Sequence, residues 1–322
     1  MLMPTAAALV QDISDTARWA AVFRARESER PDALFRDPLA RRLAGPRGFE
    51  IADTLSNESH STSWVVRTYL FDRMIAREIL AGTDTVINLG AGLDARPYRM
   101  ALPPSVRWIE VDAPEILAYK EEILAGETPR CRLERLGLDL LDREKRSAFF
   151  QEVNRSSKRI LIVCEGVLIY FRPEEAARLA AELAEQNHFQ RWIFEVVSPA
   201  VLETMNGTAG RHLHPTGISF QFGPAEGPAF FHSYGWELAD AQSVLKTAIR
   251  LQRTPIDPRV HRAMRDVPPA GENSLPWVGI CLFHSRVNSP KEAHCRRSDS
   301  PRREWCGSGD GQTPHRSSCA NS

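Results

Sequence analysis

Residues 84–99, DTVINLGAGLDARPYR, restrict the possible folds more than any other part of the chain. Thr85-Val86-Ile87-Asn88-Leu89 is a short apolar, β-branched run, and Gly90-Ala91-Gly92 follows at once. This predicts a buried strand that stops in a loop nearly bare of side chains. Glycine tolerates φ > 0 and lets a large ligand lie directly on the main chain, so nucleotide-binding α/β folds place glycines at the carboxyl end of their first strand. Arg107-Trp108-Ile109-Glu110-Val111 reads as a second strand, and Asp112 stands at its tip. A carboxylate there is placed to accept hydrogen bonds from two ribose hydroxyls. Gly90, Ala91, Gly92 and Asp112 are therefore candidate cofactor-binding residues.

Two cofactors suit this pattern. Gly90-x-Gly92-x-x-Ala95 matches the dinucleotide fingerprint, which would mean NAD and a dehydrogenase. That reading needs a helix amino terminus directly after the glycines to hold a pyrophosphate. Arg96 precedes Pro97 and is biased away from the helical region, so the immediate helix start is weakened. It also asks for a Tyr-x-x-x-Lys or an equivalent proton donor, and Tyr119-Lys120 lacks that spacing. S-adenosylmethionine carries no phosphate and makes no such demand, so strand, glycine loop and acidic strand tip favour it. A cofactor-binding module without catalysis is a third reading.

LGAGLDARPYR, EVDAP and CEGVLIYF, with ARWAAVFRARESERPDALFRDPLARRLAG and RTYLFDRMI ahead of them, resemble the leucine carboxyl methyltransferase family, and within it the bacterial branch of S-adenosylmethionine-dependent O-methyltransferases. The resemblance covers about residues 14–285. It implies a class I methyltransferase, an α/β Rossmann-like fold with a seven-stranded, mostly parallel sheet and an amino-terminal helical cap. Arg67 matches the arginine that holds the carboxylate of the cofactor's methionine part, a task suited to a planar guanidinium. A surface ion pair is the alternative for Arg67. Asp139 and Leu140 match the positions that take the adenine amino group and pack on its ring, although Asp139 also reads as a helix cap.

At 322 residues, with 43% hydrophobic and 25% charged residues, the chain can bury a sizeable core. Lys plus Arg and Asp plus Glu both number 41, so no overall field attracts nucleic acid or an anionic membrane. No stretch approaches the roughly 18 to 20 apolar residues that span a bilayer. The first residues lack the basic region of a signal peptide, so a cytoplasmic protein is expected. Cys131, Cys164 and Cys281 read as reduced apolar residues, and Cys295, Cys306 and Cys319 lack the paired spacing of a zinc site. No metal is expected.

Periodicity predicts helices from Ser14 to Pro31, from Asp37 to Gly45, and over 61–81 with Gly82 as its exit. A helix opens at Pro114, a third strand covers 131–136, and 159–164 is a fourth, central strand covered on both faces. Glu165 follows that strand at the reaction edge. A carboxylate there needs a partner, either the ammonium or sulfonium side of the cofactor or a backbone donor. Pro173 opens another helix, and 192–197 is the fifth strand. A helix over 236–246 and strands over 249–253 and 277–284 complete the reading. The domain expectation is a helical cap over 1–82 and a cofactor-binding domain over 83–286. Within the latter, an aromatic, glycine-rich segment at 198–235 would form the substrate-side wall. Residues 287–322 lack periodicity and read as a disordered tail.

The expected function is methyl transfer to a carboxylate, or a hydroxyl, of a small apolar or aromatic metabolite. A carboxylate with a pKa near ~4 is already ionised at neutral pH, so alignment would supply most of the catalysis. For a hydroxyl acceptor, Tyr170, His212, His214 and His232 are the candidate bases. His212-x-His214 otherwise reads as an ordinary loop pair.

Overall fold

The computed structural model describes residues 10, 13–55, 58–213, 217–254, 266–267 and 276–286. His214 and the expected tail lie outside these residues. Seven strands form one sheet in the order β3-β2-β1-β4-β5-β7-β6. They are β1 Thr85–Leu89, β2 Arg107–Asp112, β3 Arg132–Gly137, β4 Ile160–Cys164, β5 Phe189–Val197, β6 Trp236–Ser243 and β7 Val278–Ser285. Pairing is parallel from β3 through β5, and β7 runs antiparallel to both β5 and β6. The carboxyl ends of β1, β2, β4 and β5 therefore share one edge, where the order reverses between β1 and β4.

Alternation along the strands divides the core into two faces. Ile87, Leu89, Ile109, Ile162, Cys164, Trp192, Phe194 and Phe283 point to one face. There they meet α6 (Arg143–Ser156) through Phe150 and Val153, and α7 (Pro173–Ala184) through Leu179 and Leu183. Val86, Trp108, Leu161, Val163, Ile193, Ile280 and Leu282 point to the other face. They pack on α3 (Glu58–Leu80), whose Val66, Leu70, Phe71, Met74 and Ile75 recur at helical spacing. Thus α3 is a layer of the sheet sandwich. A third apolar cluster lies over the carboxyl edge. It joins α1 (Ile13–Glu29) through Trp19, Val22 and Phe23 and α2 (Ala40–Leu55) through Leu43 and Ile51 to Leu93, Ile169, Val197 and Phe220.

Strands β1 to β5 and β7 fall within a few residues of where the sequence places them. The sixth strand does not. Residues 236–243 form β6 and 244–250 form a helix, α10, which reverses the predicted helix over 236–246 and strand over 249–253. WELADAQS is rich in helix formers, and an irregularity between Leu238 and Asp240 breaks the period-2 pattern. Ser243 then caps α10 by accepting the Lys246 N–H at 3.2 Å.

Two further readings change. Gly45, at φ 59°, interrupts α2 without ending it, because Pro46 restarts the helix and carries it to Leu55. The segment at 198–235 is more regular than its composition suggests. It holds α8 (Pro199–Gly207), whose N-cap Ser198 accepts the Val201 N–H, α9 (Gly210–Leu213) and a 3-10 segment, Gly227–Tyr234.

Cys131, Cys164 and Cys281 are free and buried. Burial pushes their thiols up, to about 11 for Cys131 and about 12 for Cys164, so they remain protonated apolar residues. Among the described residues, no helix is long and apolar enough to cross a membrane.

Candidate active site at the carboxyl edge of the sheet

The glycine turn is shaped by positive φ and by close neighbours. Gly90 sits at φ 67° and Gly92 at φ 45°. A Cβ on Gly90 would lie 2.2 Å from Val167 Cγ2, and one on Gly92 would lie 3.3 Å from the Ala17 methyl of α1. No other residue fits at Gly90 without displacing Val167. The Gly90 and Ala91 N–H groups donate to the Val111 carbonyl at 2.8 and 3.2 Å, which anchors the turn to β2.

Asp112 completes that anchor. Its Oδ2 accepts the Gly92 N–H at 2.6 Å and its Oδ1 accepts the Ala113 N–H at 2.7 Å. Burial raises its carboxyl above the ordinary value, against the pull of these two N–H groups and of Lys120. Each oxygen keeps a lone pair, so further donors would stabilise the charge. The Leu138 N–H donates to the Asp112 carbonyl at 2.8 Å, which draws the turn after β3 alongside. In that turn Asp139 is exposed and Leu140 half-buried. Asp139 Oδ1 accepts the Leu141 N–H at 2.8 Å, while Asp142 caps α6 through the Lys145 N–H. The cap role weighed for Asp139 thus falls to Asp142.

Arg67 points inward from α3. Its Nε donates to Glu165 Oε1 at 3.0 Å, and its guanidinium lies 4.7 Å from the Trp64 ring. Both side chains are largely buried, at 18% and 14% exposed, so this is not the surface ion pair weighed as the alternative. Glu165 Oε2 lies 2.7 Å from Arg96 Nη2.

Arg96 opens a network that sequence reasoning missed. Its Nε donates to Asp72 at 2.7 Å and its Nη1 to Asp94 at 2.9 Å. Arg99 takes both oxygens of Asp72, at 2.6 and 2.7 Å, and lies 3.7 Å from Asp37. Asp37 in turn accepts from Arg24 of α1 at 3.0 Å, and Arg24 also donates to the Leu93 carbonyl at 2.6 Å. A guanidinium leaves water only if carboxylates surround it, and the alternating signs meet that condition. Burial alone would raise Asp94, yet Arg96, Lys120, Arg99 and Arg24 hold it down at about 2. Asp72 is lowered too, because Arg99 and Arg96 outweigh burial. The available signal was the charge pattern in LDARPYR, three charged residues in a short turn.

The face alternation explains where this network lies. On the α3 side, the residues one step beyond Trp108, Val86, Val163 and Ile193 are Glu110, Asn88, Glu165 and Glu195. Glu110 and Asn88 share a register row with the apolar Val163 and Ile193, and Glu165 and Glu195 follow one step further, so the change from apolar to polar is staggered between β1 and β4. Glu110 is held by Lys120 of α5 (Pro114–Ile123) at 2.7 Å and by Arg135 at 2.9 Å, and Asn88 donates to Asp94 at 2.9 Å. Glu195 Oε1 accepts the Gly166 N–H at 2.5 Å.

The candidate bases separate in space. Tyr170, in the 3-10 turn Leu168–Tyr170, packs with its ring tilted against Phe220, 5.4 Å between centroids, on the same edge. Burial raises its phenol, against a Thr16 hydrogen bond and the Arg67 charge, so it is protonated at neutral pH. His212 is exposed on α9. His232 is exposed in the 3-10 segment 227–234, 3.4 Å from Arg286. Because Arg286 follows the residue paired with Trp236, His232 sits at the opposite, amino-terminal edge of the parallel strands. No group of three or more His, Cys, Asp or Glu suited to a metal occurs among the described residues.

The glycine turn does not run into a long helix. The helix after it, α4 (Arg96–Arg99), is one turn long and begins beyond Ala95. The pyrophosphate seat that an NAD site requires is therefore not formed there.

A seven-stranded sheet in this order, with β7 antiparallel, is the class I methyltransferase fold. A solved structure from Thermobifida fusca YX, provisionally described as a methyltransferase, shares the fold at a TM-score of 0.54 and 17% identity over 86% of this chain and 97% of that one. The chain belongs to the leucine carboxyl methyltransferase family, whose model matches residues 17–184. A relative from Parafrankia sp. (strain EAN1pec) is 32% identical over 245 residues, 70% of this chain and 76% of that protein. Another, from Streptomyces coelicolor, is 35% identical over 182 residues, 53% of this chain and 64% of that protein. Both are provisionally named S-adenosyl-L-methionine-dependent methyltransferases.

Proposed function

We propose that this chain transfers the methyl group of S-adenosyl-L-methionine to an oxygen of a small apolar or aromatic molecule, with a carboxylate as the preferred acceptor. The observation that carries the reading is that the Gly92–Asp112 contact and the Arg67–Glu165 pair lie on one sheet edge under one aromatic wall. Trp64 lies 5.5 Å from Trp19 and 5.4 Å from Phe23 in that wall, and Tyr170 and Phe220 continue it. Such a wall suits a flat or apolar molecule better than an extended polar one.

The donor set fits the cofactor. Asp112 would take the ribose hydroxyls, Gly90, Ala91 and Gly92 would admit the ligand against the backbone, and Asp139 with Leu140 would receive the adenine. Arg67 would hold the methionine carboxylate, and Glu165 would face the ammonium and sulfonium side. When bound, S-adenosyl-L-methionine supplies a methyl group already activated for displacement. The chain's own part is to bind, orient and exclude water, for which α1 and α2 over the carboxyl edge, with α8, α9 and Phe220, supply the cover, while residues 227–234 of the expected wall pack in the sheet core away from it. A carboxylate acceptor needs no base, which agrees with the protonated Tyr170 and the distant His232.

Two measurements test the proposal. Titration calorimetry should detect S-adenosyl-L-methionine, and binding of NAD in its place would reject the cofactor. Turnover of a carboxylate should keep its rate above about pH 5, whereas a hydroxyl acceptor should show a rising limb near the pKa of its base. The product should lose its methyl group in mild alkali. An alkali-stable methyl ether would reject the carboxylate while leaving the cofactor reading intact.

A further inference from the structure

The network at the carboxyl edge can be followed from one end to the other. It runs Arg24, Asp37, Arg99, Asp72, Arg96, Glu165, Arg67, with Asp94 branching from Arg96, and it ends at Glu195. Five carboxylates face four guanidinium groups. Asp37, Asp72, Asp94 and Glu165 each have a cation within 3.0 Å. Glu195 does not, since its nearest is Arg67 Nη1 at 3.9 Å. Its Oε1 is taken by the Gly166 N–H, but its Oε2 is buried with no hydrogen-bond partner, on a side chain only 8% exposed. A buried carboxylate oxygen left unpaired is costly, and the cost is recovered when a donor arrives.

Glu165, by contrast, accepts from Arg67 through Oε1, and its Oε2 lies in ion contact with Arg96 Nη2 at 2.7 Å without a hydrogen bond between them. As an acceptor for a third cation it is the more saturated of the two acids. Glu195 stands on β5, next along the same polar row, and shares Arg67 with Glu165. Gly166 between them adopts φ 71°, and a Cβ there would lie 3.4 Å from Arg67 Nη1, so the turn lets Arg67 lie against its backbone.

We propose that Glu195 is a ligand-binding carboxylate whose Oε2 receives the ammonium group of the amino-acid part of the cofactor, beside the carboxylate held by Arg67. This rests on the S-adenosyl-L-methionine reading and refines it, giving the ammonium to Glu195, a residue that the motifs do not contain, and leaving Glu165 to face the sulfonium side. Burial raises the Glu195 carboxyl, Arg67 opposes that rise and Glu165 adds to it. Cys164, Tyr170 and Cys281 also sense its charge. None of these brings a cation, so an arriving ammonium group is the partner that stabilises the ionised form.

The test compares ligands with and without the amino-acid part. Glu195→Gln keeps an oxygen for the Gly166 N–H and removes the charge. Calorimetry should show S-adenosylhomocysteine binding roughly ten- to a hundredfold weaker in this variant, the scale of one charge-assisted hydrogen bond. Binding of 5′-methylthioadenosine, which lacks the amino-acid part, should stay within about twofold. The deaminated analogue of S-adenosylhomocysteine should bind wild type and variant alike. Unchanged affinity for S-adenosylhomocysteine overturns the proposal, and so does an equal loss for both natural ligands, which would mark Glu195 as a support for the Gly166 turn. If Glu195→Gln does not fold, Glu195→Asp keeps the charge on a shorter arm. It should lose affinity for S-adenosylhomocysteine but not for 5′-methylthioadenosine, and equal losses overturn the proposal there too. A wild-type protein that binds none of these ligands fails at the cofactor reading itself, an outcome distinct from a failure at Glu195.

Discussion

Replacing Arg96 by Met tests whether the buried network holds the carboxyl edge together. Arg96 is 3% exposed and touches three carboxylates, Asp72 at 2.7 Å, Asp94 at 2.9 Å and Glu165 at 2.7 Å. Methionine keeps much of the volume and none of the charge, so three acids lose a partner at once. Breaking a buried pair costs about 3 to 5 kcal/mol, because the remaining charge stays out of water. The acid response gives a second measure. Asp94 is lowered from 3.8 to about 2 in the folded chain. At ~1.36 kcal/mol per pKa unit, that shift contributes on the order of 2 kcal/mol. A depressed acid favours folding above its unfolded pKa, and the contribution fades as pH falls from about 4 toward about 2. Arg96→Met should therefore lose about 3 to 5 kcal/mol at pH 7 in urea titrations followed by tryptophan fluorescence. It should also lose less than wild type between pH 4 and pH 3. A loss below about 1 kcal/mol at an unchanged m-value, or an acid limb parallel to that of wild type, would refute the account.

Asp112→Ala should weaken cofactor binding by roughly ten- to a hundredfold, the scale of one or two hydrogen bonds to a charged group, and an unchanged dissociation constant would discard that role. Gly90→Ala forces a side chain into φ 67° and 2.2 Å from Val167, so a loss of about 2 to 4 kcal/mol is expected. Adding Val167→Ala should restore part of it, and no recovery in thermal denaturation would mean that the φ term dominates. His232→Ala should leave kcat/KM within about twofold, since the side chain sits at the far edge of the sheet, and a hundredfold fall would contradict its placement.

What could be read from the sequence followed period and punctuation. The run 85–89 before Gly90-Ala91-Gly92, the unbroken 160–164 and the i, i+4 stripe of α3 state their structure locally, because each buries a whole face whatever lies elsewhere. β6 does not. Its eight residues become a strand only because β7 pairs along them, a contact between distant segments that local composition cannot report. The site divides the same way. Asp112 and Glu165 were legible because each closes an apolar run. Arg96 and Glu195 were not, since the partners that give them meaning come from α3, β5 and the loops. Glu195 could have been found by asking which residue follows Ile193 on the polar side of a two-residue alternation.

The strand order carries a consequence for synthesis. β7 lies between β5 and β6, so it is an interior strand although it is the last made of the seven described strands. Until residues 278–285 have left the ribosome, β5 presents one whole side of its backbone unpaired, beside Trp192, Phe194 and Val196. β6, emerging earlier, finds no neighbour to join. A nascent chain halted before residue 278 would thus carry an open sheet edge next to aromatic surface, the combination most prone to capture by another chain. For this protein the exposed interval of translation is the roughly 80 residues between the end of β5 and the start of β7, after which β7 can pair with β5 on one side and β6 on the other.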